Sequence, residues 1–154
     1  MRSIAIIVAA VLSSPAMAED FHLICSGSGV ADRSDTITTN INKSDGKTEQ
    51  RTTTVDNQVP FQGDAILEIV DGAGRIHLPV GILPDVSGGK DGWFELRNLD
   101  IAQNQITAKA AVTIFNKPNV RIDRQAGTLS IDGNIGRFSG TCRVHDPAKD
   151  QRAF

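Results

Sequence analysis

Ala65-Ile66-Leu67-Glu68-Ile69-Val70, then Asp71-Gly72-Ala73-Gly74, then Arg75-Ile76-His77-Leu78-Pro79: two apolar runs on either side of a glycine-rich turn decide the fold class of this chain. Runs of four to eight β-branched and apolar residues bounded by Asp and Gly read as strands joined in a hairpin. This hairpin is the clearest in the sequence, and the core is expected to begin here. In the second run His77 lies between Ile76 and Leu78, so its side chain is expected to face solvent while theirs face inward.

Downstream, Trp93-Phe94-Glu95-Leu96 opens a strand running to about Ile101, and Asn104 marks a turn. Ile106 to Phe115 then alternates, with Ile106, Ala108, Ala110, Val112 and Ile114 on one face. Period-two alternation of that length opposes a helix. Asn116-Lys117-Pro118-Asn119 is a turn, followed by a hairpin of Val120–Arg124 and Thr128–Ile131 around Gln125-Ala126-Gly127. Arg137-Phe138-Ser139-Gly140-Thr141-Cys142 is the last strand, and 145–154 reads as a loose polar tail.

Upstream, Phe21-His22-Leu23-Ile24-Cys25 is a short strand, ended by Ser26-Gly27-Ser28-Gly29. A polar hairpin follows, Thr36–Ile41 and Gln50–Val55 around Asp45-Gly46, a dipeptide that suits a primed turn. Its few apolar residues assign it to an edge or to the surface. Between Gly81 and Gly92 lies a long loop with Pro84, Gly88 and Gly89, in which a short helix is left open. About eight to ten short strands with turns between them predict an all-β domain. An antiparallel barrel is preferred, with a β-sandwich as the alternative.

Met1-Arg2, the apolar run from Ser3 to Leu12, and the small residues Ala16 and Ala18 have the layout of a secretory signal peptide. Cleavage is expected after Ala18, behind these small residues, and the apolar run is no membrane anchor, being about half of the ~20 residues a spanning helix needs. Residues 19–144 then form one β domain, periplasmic or secreted. Losing Arg2 moves the formal charge from −2 to −3, with no basic block to bind nucleic acid. Only Cys25 and Cys142 are present. In an oxidising compartment an even cysteine count means pairing, so one disulfide should tie the first strand to the last.

Gly92-Trp93, Asn116-Lys117-Pro118, Ile122-Asp123-Arg124 with Gly127-Thr128, and Phe138-Ser139-Gly140-Thr141-Cys142 resemble the pattern of a group of small exported bacterial proteins, and Cys25-Ser26-Gly27-Ser28-Gly29 fits its opening. The resemblance is strongest from about 92 to 142. It brings no activity with it, and so no substrate and no catalytic residue. The early and late cysteines are also similar in layout to the periplasmic lysozyme-inhibitor barrels, a likeness of fold alone.

The chemistry-bearing residues are sparse. No G-x-S-x-G occurs, and Ser87-Gly88-Gly89-Lys90 places two glycines where an S-x-x-K site needs a helix. His22, His77 and His145 have no ligand-spaced neighbours, and Gly89-Lys90 lacks the rest of a phosphate-binding loop. No catalytic residue, metal ligand or cofactor is therefore assigned. The candidate binding residues are Trp93, the sole tryptophan, with Lys90 and Asp91 in the adjoining loop, and Arg121, Asp123 and Arg124. On a strand 121 and 123 share a face, so an exposed ion pair and an anion- or sugar-contacting patch are both open there. The leading expectation is a monomeric, non-enzymatic binding or inhibitor-like module acting on an envelope protein or small ligand through the 81–93 loop. Alternatives are an apolar-ligand carrier with a barrel cavity and a small hydrolase using Asp71, Asp85, Asp91 or Asp123.

Overall fold

The computed structural model describes residues 20–85, 87–146 and 148. The leader at 1–18 and most of the 145–154 tail lie outside them. Among the described residues eight antiparallel strands follow one another around a closed barrel. They are β1 (Phe21–Asn42), β2 (Thr48–Val70), β3 (Ala73–His77), β4 (Trp93–Ile101), β5 (Gln105–Ala110), β6 (Asn119–Asp123), β7 (Thr128–Gly133) and β8 (Gly136–Val144). β8 pairs with β1 from Leu23↔Val144 to Ala31↔Gly136, which closes the ring and sets the sandwich alternative aside. Closure leaves the barrel wall without a free edge, the usual liability of a sheet.

The deciding hairpin forms as the sequence predicts. Ile66 pairs with His77 and Val70 with Ala73. Asp71 and Gly72 both take positive φ, 52° and 76°, the backbone that matches the twist of the flanking strands. Alternate residues point inward: Leu67, Ile69, Ile76, Leu78, Phe94, Leu129 and Ile131 are buried in one apolar cluster that fills the barrel.

The expected disulfide is present. Cys25 and Cys142 face each other in the β1–β8 register with Cα atoms 3.9 Å apart, and join positions 117 residues apart in the chain.

Three expectations about strand length change. β1 and β2 are not short: they run 22 and 23 residues. Ser26-Gly27-Ser28-Gly29 does not end a strand but continues β1, paired on both sides. The glycines are there for close approach. A Cβ on Gly27 would lie 2.0 Å from the Ser139 carbonyl oxygen, and one on Gly29 2.8 Å from the Phe61 ring, which stacks on Phe138 at 6.0 Å. The third change concerns β5, which stops at Ala110. Thr113 turns the chain early, its Oγ1 accepting hydrogen bonds from the N–H groups of Phe115 and Asn116. Val112 stays buried, but Ile114 is 78% exposed rather than aligned with the core face.

Candidate functional site

The topology gives the barrel two ends. At one lie the β2–β3, β4–β5 and β6–β7 turns; at the other lie residues 78–92, residues 111–118 and the base of the β1–β2 hairpin. The long loop belongs to the second end and closes it. Val80–Ile82 form one 3-10 turn that inserts the fully buried Ile82. Arg33 clamps this turn by donating from Nη2 to the carbonyls of Gly81 and Leu83, at 2.9 and 2.7 Å. Gly88 N–H donates to the Val112 carbonyl at 2.7 Å. Two parts of the segment are thus tied at the barrel mouth, the turn at 80–82 through Arg33 and Gly88 through Val112.

Lys90, Asp91 and Trp93 follow the tied parts. Trp93 N–H donates to the Lys90 carbonyl at 2.9 Å, and Asp91 and Gly92 have φ of 52° and 79°. This is a tight turn of the primed kind, which delivers the chain into β4. Lys90 and Asp91 are exposed on it. In β4, Phe94 and Leu96 point inward, so Trp93 stands on the outer wall, half-buried. There the β3–β4 register places His77 beside it. The two rings meet edge to face at 5.4 Å, and the Arg75 guanidinium lies 4.5 Å from the indole centroid. Glu68 on β2 holds Arg75 through Nε–H···Oε2 at 2.6 Å. An outward row of Glu68, Arg75, His77 and Trp93 therefore runs across three strands.

Arg121, Asp123 and Arg124 are elsewhere. Arg121 is exposed midway along the outer face of β6, opposite Thr107 and Ser130. Asp123 does not serve mainly as its ion-pair partner. Its Oδ1 accepts the N–H groups of Ala126 and Gln125, each at 2.9 Å, and caps the β6–β7 turn. Those two hydrogen bonds, Ala126's first, hold the carboxyl below its usual range, with a smaller contribution from the Arg121 charge. Arg124 folds back across the barrel end, donating to the Ala102 carbonyl at 3.1 Å and lying 5.0 Å from the Phe21 ring. The six candidates thus form two separate groups, Lys90, Asp91 and Trp93 at the start of β4 and Arg121, Asp123 and Arg124 on β6 and its turn.

The acidic residues are divided in the same way. Asp71 and Asp123 sit at one end of the barrel, Asp85 and Asp91 at the other. Among the described residues no three His, Cys, Asp or Glu side chains come together as a metal site. No described helix is long and apolar enough to cross a membrane.

Sequence reasoning missed Arg75, Glu68 and the lateral role of His77. Alternation alone places 75, 77 and 93 on outward faces, but only the β3–β4 register puts them side by side. Comparison with known protein families, curated proteins and solved structures finds no match for this chain.

Proposed function

We propose that this chain is a non-enzymatic, extracytoplasmic binding module whose recognition surface is the outward row of Trp93, Arg75 and His77, with the exposed Lys90–Asp91 turn at its margin. The observation that carries this reading is the placement of the sole tryptophan. Trp93 is not part of the filled core; it stands on the outer wall, flanked by a cation and an imidazole. Tryptophan and arginine are enriched among the few residues that carry most of the binding energy of protein interfaces. The packed interior is the reason to prefer a surface site over an internal apolar cavity.

A photo-crosslinking side chain placed at Asp91 should capture an envelope partner, and one placed at Arg121 should not. Trp93→Ala and Arg75→Ala should each weaken the capture by about thirtyfold while leaving thermal unfolding near that of the parent. Equal capture from both positions, or capture indifferent to Trp93, would refute this surface.

A further inference from the structure

β1 and β2 continue far past the barrel. β8 leaves β1 at Ala31, β3 joins β2 only from Ile66, and the residues between pair solely with each other out to the tip at 43–47. No residue from 32 to 64 belongs to the buried core. A two-stranded ribbon of this length has little independent stability in water, and both its edges present unpaired backbone groups.

The β1 edge is the open one. Asp32 N–H donates to the Ile135 carbonyl at 3.1 Å, the last backbone bond on that side. By alternation the N–H and C=O groups of Ser34, Thr36, Thr38 and Asn40 then point outward with no strand beside them. Edge strands are normally blunted by proline, lysine or a bulge. β2 carries Pro60 near its base, whereas β1 from Ser34 to Asn42 has none of these and pairs without a register shift.

The face of the ribbon that continues the barrel interior supplies a pattern. From the barrel outward it carries Arg33, Asp35, Ile37 opposite Thr53, then Arg51 and Glu49. Ile37 and Ile41 on this face are 52% and 40% exposed. The charges read plus, minus, neutral, plus, minus. Reversed end to end, the order becomes minus, plus, neutral, minus, plus. A second ribbon laid antiparallel about the midpoint therefore sets Asp35 of each copy level with Arg51 of the other, while Arg33 is held by the Gly81 and Leu83 carbonyls and Glu49 by Lys43.

We propose that two copies of this chain associate by antiparallel pairing of their β1 edges about a two-fold axis at Ile37. Ile37 then faces Ile37 of the second copy, and Thr36 exchanges backbone hydrogen bonds with Thr38 of the second copy. Asp35 lies on the same face as Arg51 of the second copy, one strand beyond, within reach of its side chain. The paired stretch ends at Ser34 and Asn40, because Asp32 already has its partner in Ile135. The result is a four-stranded sheet bridging two barrels, an isologous contact that closes on itself. This departs from the monomer expected from sequence and is independent of the Trp93 surface.

The test is sedimentation of the mature protein over a concentration series, with single-cysteine trapping. The expected result is a mass twice that of the chain. Ile37 and its counterpart form a non-hydrogen-bonded pair with Cα atoms about 4.5 Å apart, so Ile37→Cys should cross-link to itself on mild oxidation. Thr53→Cys, on the outer strands of the four, should not. Thr38→Pro removes an outward N–H without touching the β1–β2 ladder, and should weaken association about tenfold or more. Asp35→Arg and Arg51→Asp should each weaken it, and the double exchange should restore it. A single-chain mass throughout the series overturns the proposal. So does trapping through Thr53→Cys in place of Ile37→Cys, or a Thr38→Pro variant that associates as the parent does.

Discussion

At Gly27 the absence of a side chain is a packing requirement. The site a Cβ would occupy lies 2.0 Å from the Ser139 carbonyl oxygen and 2.5 Å from the Gly140 Cα, both on the β8 backbone, which cannot swing away as a side chain would. Gly27→Ala should therefore destabilise by about 1–3 kcal/mol, read from chemical denaturation. A loss within error of zero would mean that β1 and β8 separate readily here. The same residue shows where sequence reasoning stops. Glycine between serines is the ordinary signature of a turn, and nothing local distinguishes it from glycine that admits a neighbouring strand. The stacked pair Phe61–Phe138, whose space Gly29 leaves, joins residues 77 apart in sequence. Trp93 presents the same limit: its prominence was legible from its uniqueness, but its contacts with Arg75 and His77 depend on a pairing register that composition does not carry.

Among the elements, the local hairpins were the most legible. β2–β3 and β6–β7 are joined by short turns whose residues announce them, and the structure has both. β5 was read too long because alternation continues through Val112 and Ile114, while a threonine side chain decides that the chain turns at 113. The β1–β2 ribbon was read as a separate surface hairpin; its polar composition was read rightly, and its continuity with the barrel strands was hidden by the glycines. Because residues 36–54 contribute nothing to the core, shortening the ribbon should be tolerated. Replacing residues 36–54 with Asn-Gly should leave a barrel whose thermal midpoint lies within a few degrees of the parent's. A collapse of the midpoint on calorimetry would show that the ribbon supports the fold. The long loop holds a feature that its glycines and prolines do not announce: Arg33 and Ile82 anchor its first part, 80–83, in the barrel mouth.

For the whole molecule, the all-β class and the pairing of the two cysteines were legible because both follow from counts and periods. The choice of a barrel over a sandwich was a preference until the β8–β1 ladder resolved it. The disulfide lies within that ladder, so it locks the one seam whose two strands come from distant parts of the chain. Cys25→Ala with Cys142→Ala should cost between about 2 and 5 kcal/mol, mostly through a freer unfolded chain. Equal stability of the double variant and the parent, measured under non-reducing denaturation, would contradict this.

The seam also sets the order of events during folding. Hairpins β2–β3 and β6–β7 can form from neighbouring residues, but the ring needs β8, the last of the described strands, to meet β1, the first of them. Every form before that meeting holds an incomplete sheet, and pairing of such remote segments is intrinsically slow. Whatever local hairpins have formed before it, closure of the ring is therefore the step that waits for both of its remote partners.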